Sequence, residues 1–192
     1  MKKILFNLML VILFFTTTSY NVDIVKYEIE IEAVDTTDIV INSLETDIEN
    51  YFSINYPKAK ISPREIARVC VEYELEPKFV LSQAHLESHY GTRGRAKSTN
   101  SIFNVGAWDD GTTKNYYASP DASIEPYAKL LTQFYLIDGK TIDDLLRPGG
   151  FVNHNGHRYA TAKNYEFNIK WLITYIEERS DIKTLLEYYE SV

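Results

Sequence analysis

The chain has 192 residues, 45% hydrophobic and 24% charged, which fits one soluble globular domain with short appendages. A net charge of -7 argues against a nucleic-acid partner, which would need clustered Lys and Arg. A single cysteine, Cys70, excludes an intrachain disulfide and a Cys–His metal cluster.

In chain order, Lys2 and Lys3 precede an apolar run from Ile4 to Phe15 and the small polar residues Thr16 to Ser19. This pattern reads as an export signal over residues 1–19. The run is shorter than the roughly 20 residues that span a bilayer, and the alternative reading is a short membrane anchor. Contact with a membrane is expected only through this segment. The rest is expected to be exported to the periplasm, cell wall or exterior. Residues 20–60 hold much of the acidity and read as a solvated linker or arm. Within it, Tyr27 to Glu32 alternates with a strand-like period but has no obvious partner strand.

The folded domain is expected over residues 61–192. Ser62-Pro63-Arg64-Glu65 has the form of a capping box with Pro at the first helical position. Ile66, Val69, Cys70 and Tyr73 then make one apolar face, with Cys70 as a packing residue. Pro77 opens a second helix that Gly91 can end. From Thr92 to Asn115 the period vanishes. Phe103 to Trp108, an Asp110-Gly111 turn and Asn115 to Tyr117 are expected to form a small β-hairpin. Helical patterning returns over residues 121–137, with Ile124, Tyr127, Leu130, Leu131 and Phe134 on one face. A short helix at 141–146, a long one at 160–179 and a terminal one at 182–189 complete the chain. The fold class is therefore α+β and mainly helical, with a small β lobe that leaves a cleft.

One residue breaks the apolar pattern. At about 100° per residue, Glu87 falls between Val80 and Gln83, inside the buried arc of the second helix. A carboxyl group there loses hydration, which raises its pKa. Glycosidic cleavage needs such a group, still protonated near neutral pH. The same position also suits a Glu at the stripe's edge that reaches water or pairs with Arg93 or Arg95. His85 and His89 sit at i and i+4 on another face; without a third ligand they read as surface or packing residues. His154 and His157 fall in a glycine-containing loop that can flank the cleft. No metal or cofactor is expected.

Four segments carry a resemblance. Leu81-Ser82-Gln83-Ala84-His85-Leu86-Glu87-Ser88-His89-Tyr90-Gly91 is similar to a helix reading Ala-Gln-x-x-x-Glu-Ser-x-x-Gly. Asn100-Ser101-Ile102-Phe103-Asn104-Val105 resembles Asn-Asn-Leu-Phe-Gly-Ile. Tyr117-Ala118-Ser119 through Ser123 and on to Pro126-Tyr127-Ala128-Lys129-Leu130-Leu131 resembles Tyr-x-Ser … Ser-x-x-x-Tyr-Ala-x-Leu-Leu. Tyr159-Ala160-Thr161 with Asn164-Tyr165 resembles Tyr-Ala-Thr-x-x-x-Tyr. In this order they resemble the bacterial glucosaminidases (glycoside hydrolase family 73), the flagellar and autolysin type.

The resemblance implies a lysozyme-like α+β fold and hydrolysis of the β-1,4 bond after N-acetylglucosamine in peptidoglycan strands. Apart from the resemblance, the chain is expected to act as a monomer. Residue for residue, the resemblance makes Glu87 the general acid and Tyr159 an active-site tyrosine facing it. Gln83 and Asn100 become candidates for substrate contact. Apart from the resemblance, Phe103, Trp108 and Tyr116 are candidates for stacking on sugar rings, with core packing as the alternative for each. Many relatives carry a second acidic residue on a longer hairpin, and here only Asp109 and Asp110 are available. Both also suit an ordinary turn. Without that carboxylate, the substrate's acetamido group can attack the sugar carbon instead. A muramidase, a lytic transglycosylase and an inactive glycan-binding relative remain alternatives. The biological setting, from host autolysin to phage lysin, stays open.

Overall fold

The structure is a computed structural model that describes residues 35–105, 115–147, 159–160 and 164–192. The expected export segment, the alternating stretch Tyr27–Glu32, and Trp108, Asp109, Asp110, His154 and His157 lie outside these residues.

The first described element corrects the reading of a solvated arm over residues 36–55. Helix α1 (Thr36–Asn55) is capped by Asp35, whose carboxylate accepts from Thr37 N at 3.0 Å. Val40, Ile41, Leu44, Ile48, Tyr51 and Phe52 recur at helical spacing, and all are buried. Two of its acidic side chains take partners from other elements. Glu45 pairs with Arg64 at 2.9 Å, and Asp47 accepts from the Tyr188 hydroxyl at 2.6 Å.

Helix α2 (Pro63–Glu72) starts where expected, with Ser62 Oγ accepting from Glu65 N. The reciprocal half of the expected capping box is replaced: Glu65 pairs with Arg68, while Ser62 N donates to Asp121 at 2.7 Å. Helix α3 (Pro77–Ser88) ends in three left-handed residues, His89, Tyr90 and Gly91. Gly91 has φ +81°, a conformation strained for any L side chain, and a Cβ there would also crowd Ile102 Cδ1 and Lys60 Cβ. Ser88 Oγ accepts from Gly91 N at 2.9 Å and fixes the same corner.

A short helix α4 (Ala96–Thr99) follows. A 3₁₀ turn, Asp121–Ser123, leads into α5 (Ile124–Leu130), which runs on as a π-helical turn over Leu131–Tyr135. The bond from Leu136 N to Leu131 O, 2.8 Å, spans five residues and widens the turn. The expected face therefore slips by one residue: Tyr135 is buried and Phe134 is exposed. Helix α6 (Ile142–Leu145) carries a Thr141–Asp144 capping box. Helix α7 (Tyr165–Glu177) begins later than the expected residue 160 and buries Tyr165, Ile169, Leu172 and Ile176. Helix α8 (Leu185–Glu190) closes the chain.

α1 packs on α2 and α8, α2 on α3 and α5, and α3 on α7. α3 is thus held on two sides, which gives its side chains a rigid support. The domain is mainly helical, as expected. The β-hairpin is not found among the described residues, since neither 103–105 nor 115–117 forms a strand. These two segments are nevertheless joined, since Asn115 Nδ2 donates to Val105 O at 3.3 Å, and Tyr117 N ties the second of them to the end of α4 by donating to Thr99 O at 2.9 Å. Among the described residues no helix is long and apolar enough to cross a membrane.

Candidate active site

Gln83 and Glu87 lie one turn apart on α3, and each organises a different part of the site. Gln83 is 1% exposed and makes three side-chain bonds. Its Nε2 donates to the hydroxyls of Tyr159 and Tyr165, the latter at 2.5 Å, and its Oε1 accepts from the Tyr127 hydroxyl. One amide thus gathers tyrosines from α5, from α7 and from the segment before α7. Such a buried amide is stable only when its donors and acceptor are satisfied, as they are here. The ring of Tyr135, turned inward by the π turn, meets Tyr159 edge-on at 4.8 Å.

Glu87 is partly buried beside this cluster. The charge of Glu87 opposes ionisation of Tyr127, Tyr159 and Tyr165, in addition to the larger effect of their burial. All three phenols are pushed up and present neutral hydroxyls. Burial likewise pushes the Glu87 carboxyl up, since the charged form loses its hydration. A hydrogen bond from Asn104 opposes this shift. Among the described residues Glu87 forms no ion pair, so pairing with Arg93 or Arg95 is not what the structure shows. Arg93 instead approaches His89 Nε2 at 3.1 Å.

Asn104 was not singled out in the sequence as a site residue, yet it holds the carboxyl group directly. Its Nδ2 donates to Glu87 Oε2 at 2.9 Å and to the Glu87 backbone oxygen at 3.0 Å. Its φ of 52° is left-handed, a conformation that Gly and Asn adopt most readily. The signal was available: Asn104 occupies the glycine position of the quoted motif. The serines of the next motif secure this loop. Ser123 Oγ accepts from Ile102 N at 3.1 Å and donates to Pro120 O at 2.7 Å, while Ser119 Oγ accepts from Ala122 N at 3.2 Å.

The remaining predicted residues separate. Asn100 caps α4 in a left-handed conformation and donates through Nδ2 to Tyr117 O at 2.9 Å, which is a loop-fastening position. Phe103 is 7% exposed and stacks on Tyr127 at 3.7 Å, so its ring belongs to the core wall and offers little face to a sugar. Tyr116 is 71% exposed and open to a ligand. Trp108, Asp109 and Asp110 lie outside the described residues. His85 and His89 contact each other at 3.2 Å, and no group of three or more His, Cys, Asp or Glu that could hold a metal forms among the described residues. A cavity of about 620 Å³ between the α2–α3 turn, α6 and α7, lined by Leu75, Phe79 and Ile142, does not include Glu87.

A desolvated carboxyl group on a rigid helix, held by a neutral amide and backed by neutral phenols, can deliver a proton to a departing oxygen and take one back. That is the equipment of a glycan-cleaving enzyme. The family comparison agrees: residues 63–178 match the glucosaminidase family, described as mannosyl-glycoprotein endo-beta-N-acetylglucosaminidase. The chain belongs to the glucosaminidase family, and with it to the glycoside hydrolases. No curated protein matches the chain.

Proposed function

We propose that the protein is an endo-β-N-acetylglucosaminidase that hydrolyses the β-1,4 bond after N-acetylglucosamine in peptidoglycan. The observation that carries this reading is the Glu87 carboxyl group, with its pKa raised by burial and a neutral amide as its side-chain partner. Glu87 gives its proton to the glycosidic oxygen as the bond from that oxygen to the sugar C1 breaks. The acetamido oxygen of the same sugar attacks C1 and forms a cyclic intermediate. Water then adds to C1, the acetamido group re-forms, and the Glu87 carboxylate takes the water's proton. Tyr159, held by Gln83, offers its hydroxyl beside the reacting sugar. Asp109 and Asp110 are the alternative source of the second group; Asp109→Asn and Asp110→Asn should each cost much less than loss of Glu87 if the acetamido group attacks.

Product analysis tests the bond choice. Digested peptidoglycan should carry reducing N-acetylglucosamine ends. Reducing N-acetylmuramic ends would make the enzyme a muramidase, and anhydro-muramic ends a lytic transglycosylase. The same reading places the enzyme outside the cytoplasm by way of residues 1–19. N-terminal sequencing of exported protein should then begin near Tyr20, whereas a mature chain that keeps Met1 in the membrane fraction would mean an anchor.

A further inference from the structure

A second cavity, of about 490 Å³, opens between the end of α1, the end of α3 and α7. It is lined by His85 and His89 and lies on the opposite side of α3 from the catalytic carboxyl group. His85 and Glu87 are two residues apart on one helix, so they point roughly 160° apart around its axis.

The sign of its charge is opposite to that of the chain. Lys58 and Arg93 line it, and no Asp or Glu does, although the chain as a whole carries -7. Arg93 donates to His89 Nε2 at 3.1 Å. Neutral His89 therefore carries its proton on Nδ1 and donates it to His85 Nε2 at 3.2 Å. A guanidinium has five N–H donors, so its bond to His89 leaves capacity for an anion.

The outer wall is aromatic. Trp171 is 56% exposed, and its ring centre lies 5.4 Å from that of Tyr175 with the planes 30° apart. The Arg179 guanidinium sits 4.0 Å over the Tyr175 ring and steadies it. Phe167, one turn earlier, is also exposed. Phe167, Trp171 and Tyr175 thus succeed one another about 6 Å apart along the axis of α7. Flat aromatic faces on a rigid helix suit the C–H faces of sugar rings, and cations at the end of the row suit carboxylates carried by those sugars.

We infer that this cavity and the Trp171–Tyr175 face form a second, non-catalytic site for a carboxylate-bearing glycan strand, the peptidoglycan strand with its peptide carboxylates. The site holds the wall polymer on one side of α3 while Glu87 acts on the other. The identity of the strand rests on the proposed substrate; the existence of the site does not.

The test uses the full chain carrying Glu87→Gln and purified wall sacculi stripped of phosphate-containing polymers. Adding Trp171→Ala and Arg93→Ala should weaken co-sedimentation about tenfold or more, the usual loss when central aromatic and Arg contacts are removed. Trp171→Phe, which keeps a ring, should retain most of the binding. With Glu87 restored, the double variant should cleave short soluble glycan fragments at the wild-type rate. Undiminished sedimentation of the double variant would overturn the inference. An equal loss of cleavage on short fragments would also overturn it, because the residues would then serve catalysis itself. Binding only to unstripped walls would overturn the carboxylate assignment in favour of a phosphate polymer. A wild-type chain that sediments through Trp171 but cuts nothing would sink the proposed activity and leave this site standing.

Discussion

Asn104 and Glu87 are joined twice through one nitrogen, since Asn104 Nδ2 donates to both the carboxylate and the backbone oxygen of Glu87. The backbone bond fixes which way the amide points, because only its NH₂ group can donate to a carbonyl. The side-chain bond then fixes the rotamer of the carboxyl group. Asn104 is thus a positioning residue, and it moderates the upward push that burial gives Glu87.

Asn104→Gly tests this without straining the left-handed backbone. Loss of the bond should let the Glu87 pKa rise further, so the alkaline limb of the activity profile should move to higher pH. The rate at the optimum should fall between about 10-fold and 100-fold through lost orientation. A variant with the wild-type rate and an unmoved alkaline limb would show that the bond has no part in catalysis.

Gln83→Leu addresses the tyrosine cluster. The substitution leaves the hydroxyls of Tyr127, Tyr159 and Tyr165 without their shared partner. Each buried polar group so stranded costs about 1–3 kcal/mol. Chemical denaturation should show a loss of at least that size, and activity should fall with it as Tyr159 loses its anchor. A variant as stable as wild type would mean that the three hydroxyls find other partners.

Much of this arrangement was legible in the sequence. The Ser62 cap, the placement of Glu87 on the inner arc of α3 and the inert packing of Cys70 follow from residue spacing alone, and the family motifs marked Gln83 and Tyr159. What was not legible depends on geometry that periodicity does not encode. The π turn at Leu131–Tyr135 shifts the buried face by one residue, which exchanges Phe134 for Tyr135. The role of Asn104 depends on a left-handed backbone in a loop that Ser123 fastens through Ile102 N. The α1 helix was readable in principle, because its buried positions have helical spacing. Its acidic residues masked that stripe and gave it the look of a linker.

Helix α1 therefore yields a prediction opposite to that for a solvated arm. Leu44 is fully buried against the core, and Leu44→Ala should cost about 2–5 kcal/mol. Deleting the chain through Tyr56 would uncover the apolar face of α2 and should abolish the cooperative thermal transition. If the shortened chain melts within a few degrees of the intact one, α1 is not part of the folding unit.

Glu87→Gln is the decisive substitution. Gln matches Glu in size and can still accept from Asn104 through its Oε1, but it cannot give a proton to the departing sugar oxygen. General acid assistance is worth about 10²–10⁴-fold in rate, so wall cleavage should fall to near background. Stability should move the other way, and its pH dependence identifies the cause. Because burial raises the folded pKa of Glu87 above its usual 4.5, the protonated form is the one favoured in the fold. That advantage is fully present below 4.5 and is lost as pH rises through the raised value. Gln carries no such loss. The variant should therefore match wild type in acid and exceed it in melting temperature at neutral pH. A folded Glu87→Gln protein that digests peptidoglycan at the wild-type rate would falsify the assignment of the acid. A variant with no added stability at neutral pH would show that Glu87 is well solvated in its charged form, which removes the physical reason for choosing it.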